Sequence, residues 1–211
     1  MKILFFGDSI TDMGRNRGEC DEIWTYGSGY PMLVASHLYR KDPLQYQVVN
    51  RGIAGNRIVD LYACVKADVW NERPEVLSIL VGVNDIWHEF DWQNGVEQDR
   101  FERIYDMLIE DTLQRLPNIK IVLCEPFILK ASATAEKFDQ FTEVYDYAKI
   151  VKRLAEKHGL YFLPLQEKFD EAAKAYGAEK YLYDGVHPGV AGATLIADAW
   201  LQLFESKILR K

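Results

Sequence analysis

The feature that most constrains this chain is its first apolar run and the way that run stops. Ile3-Leu4-Phe5-Phe6 is followed at once by Gly7-Asp8-Ser9. Four large apolar residues in succession describe a strand buried on both faces, and the run is far too short to cross a bilayer. Gly7 is expected to allow a backbone turn that a Cβ would resist. Ser9 then falls just beyond the strand's C-terminal end, the edge where open α/β sheets bind ligands. A serine there can act as a nucleophile if one group takes its proton and another stabilises the oxyanion.

The rest of the chain alternates strand and helix signals. Tyr46-Gln47-Val48-Val49-Asn50, Val76 to Val81, Ile119 to Leu123 and Leu160 to Leu163 read as further strands. Helical spacing appears after Pro31, from Ile58 to Val65, from Phe101 to Leu113, from Lys137 to Lys157, near Glu167 to Ala175, and from Gly189 to Phe204. Residues Trp87, His88, Phe90 and Trp92 read as a loop. Alternating elements predict an α/β protein, a three-layer sandwich around a parallel sheet of about five strands. No repeat or linker divides residues 1–211, so one domain is expected.

Composition narrows the partners. A net charge of −7 argues against nucleic acid or an anionic membrane as the main partner. Cys20, Cys64 and Cys124 are widely spaced and predict reduced thiols. No two histidines have metal-ligand spacing, so neither a metal nor a cofactor is expected. The short apolar run before Gly7 does not read as a signal peptide, which predicts a cytoplasmic protein.

Right-handed crossovers bring every strand's C-terminal end to one rim. Ser9, Gly55 and Asn84 follow the first three strands, and Asp184 and His187 precede the last helix. His187 is the candidate base for Ser9. Asp184, three residues earlier, can fix its tautomer, and Pro188 is expected to begin the helix behind it. The candidate oxyanion donors are the backbone N–H groups of Ser9 and Gly55 and the side-chain amide of Asn84. Against these stand plainer readings: Ser9 as a helix N-cap, and Asn84 and Gly55 as turn residues. Asp8, Asn50 and Asp85 are expected to hold loops by hydrogen bonds. Trp87, Trp92, Tyr26 and His88 are candidate substrate contacts, with packing as the competing role for the aromatics. His37 and His158 are expected on helix surfaces.

Together, Gly7-Asp8-Ser9-Ile10, Gly55 in Ile-Ala-Gly-Asn, Gly82-Val83-Asn84-Asp85 and Asp184-Gly185-Val186-His187 resemble the four blocks of the SGNH (GDSL-type) hydrolases, in the family's order. Ile10 stands where the family's name has Leu. The resemblance implies a flavodoxin-like α/β/α fold and metal-free ester hydrolysis. It carries the nucleophile to Ser9, the oxyanion donors to Ser9, Gly55 and Asn84, and the acid–base pair to Asp184 and His187. The loop Asn50-Arg51-Gly52-Ile53-Ala54-Gly55-Asn56 and Asn84-Asp85-Ile86-Trp87 further resemble bacterial acetylxylan esterases. That closer likeness implies an acylated sugar or oligosaccharide as substrate and self-association as a plausible state. A lysophospholipase or thioesterase on the same scaffold is the alternative enzyme, and a non-catalytic ligand-binding domain the alternative class.

Overall fold

In the computed structural model, which describes residues 1–209, the first apolar run is strand β1 (Lys2–Gly7). It lies between β2 (Gln47–Asn50) and β3 (Val76–Leu80), followed by β4 (Lys120–Cys124) and β5 (Tyr161–Leu163). The sheet order is β2-β1-β3-β4-β5 and every pairing is parallel. This is the flavodoxin-like order, whose connections reverse direction between β1 and β3 and leave a crevice there. The register pairs Phe5 with Asn50 and Gly7 with Leu80, so the residues that follow the three strands come out along one rim.

Helices cover both faces, as an all-parallel sheet requires. A single turn, α1 (Ser9–Asp12), leaves β1, and α2 (Tyr30–Lys41) packs on α9 (Val190–Leu203). On the other side α5 (Gln98–Arg115) packs against α3 (Ile58–Val65) and α7 (Val144–His158). The remaining helices are α4 (Val83–Trp92), α6 (Phe138–Phe141) and α8 (Gln166–Tyr176). Ile3, Leu4, Phe5 and Phe6 are all fully buried. Phe5 meets Tyr30 edge-on and lies 5.1 Å from the Trp200 ring, tying β1 to both α2 and α9. Truncating such a phenylalanine to alanine costs about 3–5 kcal/mol.

Gly7 serves a purpose other than the expected turn. A Cβ there would stand 2.3 Å from the Leu80 carbonyl oxygen and 2.6 Å from Thr11 Oγ1, so the missing side chain lets α1 fold back against β3.

Three elements depart from the sequence reading. Residues 83–92 form helix α4, not a loop. Val83, Asn84, Asp85 and Ile86 are its buried positions, and Gln93 in the left-handed conformation closes it by donating to the Glu89 carbonyl. The helix expected from Lys137 to Lys157 is broken. Thr142 Oγ1 donates to the Asp139 carbonyl at 2.5 Å, and the Glu143 amide turns to Gln140 instead. Competition of this kind from a threonine hydroxyl ends a helix. Lastly, Pro188 does not begin α9. It bridges to Leu182 in antiparallel fashion, with Gly189 N–H donating to the Tyr181 carbonyl, and the helix starts at Val190.

Candidate active site

Asp8 sets the geometry at the end of β1. Its backbone is extended and its carboxylate accepts the Ile10 N–H at 2.9 Å, so Asp8, not Ser9, caps the turn. Ser9 becomes the first helical residue, with its hydroxyl free to turn to the rim. The hydroxyl oxygen lies 2.8 Å from His187 Nε2. On the other side of the ring, His187 Nδ1 lies 2.6 Å from Asp184 Oδ2. An ionised carboxylate only accepts, so Nδ1 carries the ring hydrogen and Nε2 is left to accept from Ser9.

Asp184 is held by more than the histidine. Its Oδ1 accepts the backbone N–H groups of Val186 at 2.9 Å and His187 at 2.7 Å. Burial pulls its pKa upward, but these bonds and the His187 side chain outweigh it and hold the carboxyl below its ordinary value. The same hydrogen bond raises His187 above the usual imidazole range, against partial burial, with Asp8 adding to the rise. The loop carrying both residues is clamped from behind. Leu129 N–H donates to the Gly185 carbonyl at 2.9 Å and Ala133 N–H to the Asp184 carbonyl at 3.1 Å. Thr134, fully buried, donates to the Leu129 carbonyl at 2.6 Å.

The expected oxyanion donors lie on three separate segments, α1, the loop after β2 and α4. The N–H groups of Ser9 and Gly55 have no protein acceptor among the described residues. Gly55 has φ +85°, a conformation that favours glycine. Its loop is fixed by the Ala54 N–H, which donates to Asp12 Oδ2 at 2.9 Å. Asn50 adds to this, donating to the Thr11 and Tyr26 carbonyls and accepting the Gly52 N–H. Asn84 sits in the first turn of α4, 7% exposed, and donates to the Asn56 carbonyl at 3.1 Å. That bond uses one hydrogen of the amide and leaves the other.

Ser9 and His187 open on a cavity of about 300 Å³ shared with Asp12, Met13, Ala54 and Tyr183. It is not the largest depression. A groove of about 700 Å³ runs between α8 and α9, but it holds neither the serine nor the histidine. The cavity at Ser9 is large enough for an acyl group together with part of what it is attached to.

The predicted substrate contacts fare unequally. The Trp87 ring lies 6.2 Å from the His187 ring and packs edge-on against Phe141. Trp92 is 64% exposed and meets His88 edge-on at 4.5 Å, and neither borders the Ser9 cavity. Tyr26 is buried, its hydroxyl engaged by Glu22 and Tyr39, so its role is packing. His37 and His158 are not bare surface residues. They meet Glu205 at 3.0 Å and Asp106 at 2.6 Å. Asp106, Glu110 and His158 bring their ligand atoms within 4.8 Å of one another, a grouping the sequence reading overlooked. Lys157 already pairs with both acids there. Two residues of the site were missed outright. Asp12 pins the Gly55 loop, and its signal was an acid one turn beyond Ser9. Tyr183 borders the cavity, and its signal was an aromatic directly before Asp184.

Residues 5–195 match the GDSL-like lipase/acylhydrolase family. The chain belongs to that family. This GDSL-like hydrolase is 35% identical to an acetylxylan esterase of Geobacillus stearothermophilus over 208 residues, 95% of this chain and 92% of the relative. The crystal structure of an acetylxylan esterase from the same organism superimposes with a TM-score of 0.84 at 34% identity, covering 95% of this chain and 92% of that one. Catalytic mutants of that esterase altered at an aspartate, a histidine or a serine share the fold to the same degree. An α/β hydrolase from the metagenome of Lake Arreo, Spain, gives a TM-score of 0.85 at 30% identity, covering 95% and 93% of the two chains. The GDSL-like hydrolase is thus a carboxylic ester hydrolase and a serine esterase. No helix among its described residues is long and apolar enough to cross a membrane.

Proposed function

We propose that this esterase removes acetyl groups from acetylated xylose-containing oligosaccharides. Ser9 is the nucleophile, His187 its base and Asp184 the group that orients the base. The observation that carries the reading is the unbroken line from Ser9 Oγ through the imidazole to Asp184, with steps of 2.8 and 2.6 Å. The acetylxylan esterase relative, alike over 95% of the chain, supports the substrate class.

The chemistry follows from the roles. Ser9 Oγ attacks the acetyl carbonyl carbon as its proton passes to His187 Nε2. Asp184 stabilises the imidazolium that forms. The new oxyanion takes hydrogen bonds from the Ser9 and Gly55 N–H groups and from the Asn84 amide. Collapse breaks the bond to the sugar oxygen, which leaves with the proton held by His187. Water, deprotonated by the now neutral imidazole, then attacks acetyl-Ser9 and releases acetate.

The test is a substrate panel with Ser9→Ala as control. It comprises acetylated xylooligosaccharides, esters of graded chain length, a lysophospholipid and an acyl thioester. A steep preference for the two-carbon acyl group and for the sugar esters is expected. A preference for chains of eight carbons or more, or for the thioester, would overturn the reading. An organophosphonate reagent should label the wild type and spare Ser9→Ala.

A further inference from the structure

Tyr183 is a large aromatic that the fold leaves half uncovered, at 53% exposure, directly beside the reacting groups. Its ring is nearly parallel to the His187 imidazole, 18° between planes with centroids 5.9 Å apart. It borders the same cavity as Ser9. Other exposed aromatics among the described residues, Trp24, Trp92 and Tyr176, border no part of that cavity.

The side chain is exposed, but its backbone is fixed. Tyr183 N–H donates to the His187 carbonyl at 3.1 Å, and Ser132 Oγ donates to the Tyr183 carbonyl at 3.3 Å. The Leu182–Pro188 bridge closes the loop around it. Its hydroxyl has no protein partner among the described residues. A tyrosine so placed has two rotatable side-chain torsions, a flat apolar face and a free polar tip, and so offers contact area at low entropic cost.

We infer that Tyr183 is the sugar-facing platform of this site, stacking on the pyranose whose acetyl group is held at Ser9 and thereby setting the preference for carbohydrate esters. The inference rests on the proposed deacetylase reading and names the residue that makes it selective. A pyranose presents axial C–H groups to such a face, while its equatorial hydroxyls point outward to solvent or to the tyrosine hydroxyl. The acetyl group then reaches Ser9 inside a cavity of about 300 Å³ that Tyr183 also lines, which leaves room for the pyranose against the tyrosine ring.

The experiment compares two acetate esters in the wild type, Tyr183→Ala and Tyr183→Trp. One is an acetylated xylooligosaccharide and the other is ethyl acetate, which has no ring to stack. Paired aromatic rings gain up to about a factor of ten beyond burial, and a pyranose against the Tyr183 face is expected to gain as much. Tyr183→Ala should therefore lower the ratio of the two kcat/KM values, sugar over ethyl acetate, by about tenfold, chiefly through KM. Tyr183→Trp should keep that ratio within about threefold, because the flat face is retained. In a Ser9→Ala background, titration with xylotriose should show the same tenfold weakening on Tyr183→Ala, with no chemistry involved.

An equal fall on both esters, with a displaced pH profile, would mean that Tyr183 acts only on His187, and the platform would be lost. An unchanged ratio would overturn it as well. A wild type with no preference for the sugar ester would instead sink the deacetylase reading. A preference that survives Tyr183→Ala would sink this inference alone.

Discussion

Carboxyl groups stand both at the rim and in the interior around Ser9, and they behave in opposite ways. Asp184 stands at the rim with its two oxygens engaged by His187 and two backbone N–H groups, and it is held below its ordinary pKa. Asp8, next to Ser9 in the chain, and Asp85 are both fully buried. Each has one oxygen that accepts a backbone N–H, from Ile10 and Ile58, and one buried Oδ2 with no partner. Burial pushes Asp8 up to about 7 and Asp85 well above its ordinary value. The chemical group is the same, and burial acts on all three. The difference is how deeply each is buried and whether donors fill both oxygens. A site that needs one permanent negative charge against its imidazole obtains it from the carboxyl at the wet edge, while the interior carboxyls hold their protons to higher pH.

The comparison breaks most visibly at Asp184. Asp184→Asn keeps the shape but replaces an acceptor by an amide, so the ring can no longer be held with its hydrogen on Nδ1. The expected loss in kcat is roughly 10³- to 10⁴-fold near neutral pH. Steady-state kinetics on any good acetate ester will read it. A loss below tenfold would show that the rim carboxylate is not what activates the histidine.

The next largest effect is on stability, and its sign is opposite to that of the usual carboxylate. Asp8 has a folded-state pKa of about 7 against an ordinary 3.8. Between those values the native chain binds the proton more tightly than the unfolded chain. Stability from this group therefore falls as pH rises from about 4 to about 7, on the order of 4 kcal/mol in full. Asp184, held low, works the other way and loses its contribution only as pH falls through its depressed value. Asp8→Asn should flatten the decline between pH 4 and 7 in denaturant melts. A variant that keeps the wild-type slope would place the titration elsewhere.

These same carboxyls show how far the sequence could be read. The end of β1, the blocks after β2 and β3 and the Asp184–His187 pair were legible, because each is a local signal and parallel topology brings all of them to one rim. The loop-holding roles of Asp8, Asn50 and Asp85 were also legible, as short polar residues at strand ends. That two of them are partly unsatisfied was not, because it depends on what packs from α3 and the sheet. Helix α4 was hidden by Trp87, His88, Phe90 and Trp92, whose bulk obscured the three-residue spacing of Val83 and Ile86. Tyr26 reads equally well as a pocket wall or as packing until Tyr39 is seen against it. The partners of His37 and His158 lie 168 and 52 residues away, beyond any local pattern. The place of Tyr183 depends on how the Leu182–Pro188 bridge folds its loop, and no periodicity encodes that.

Neighbouring residues on α4 sharpen the contrast within one turn. Asn84 donates to the Asn56 carbonyl, and Asp85 accepts the Ile58 N–H and leaves its other oxygen buried without a partner. Asn84→Ala should lower kcat about a hundredfold or more, with the melting temperature nearly kept, since one oxyanion donor contributes about 3 kcal/mol. Asp85→Asn should do the reverse, leaving kcat within about threefold and moving the melt, because the Ile58 N–H and the buried oxygen are structural. A loss below threefold for Asn84→Ala would remove that amide from the oxyanion hole.

The smallest expected effect links the two levels of carboxyl directly. Asp8 is among the groups that raise His187, though less than Asp184 does. Hydrolysis requires the neutral imidazole, so kcat/KM rises with pH through the His187 pKa, and that limb should lie above the ordinary histidine value of about 6.5. Asp8→Asn removes a buried negative charge below the ring wherever Asp8 is ionised. The imidazolium loses part of its stabilisation, and the limb should move to lower pH while the plateau rate changes by less than tenfold. A pH series of kcat/KM for wild type and Asp8→Asn, on ethyl acetate so that sugar binding does not enter, separates the outcomes. Movement to higher pH would contradict any attraction between an ionised Asp8 and the imidazolium. No movement would mean that Asp8 stays protonated while His187 titrates and would confine its influence to folding.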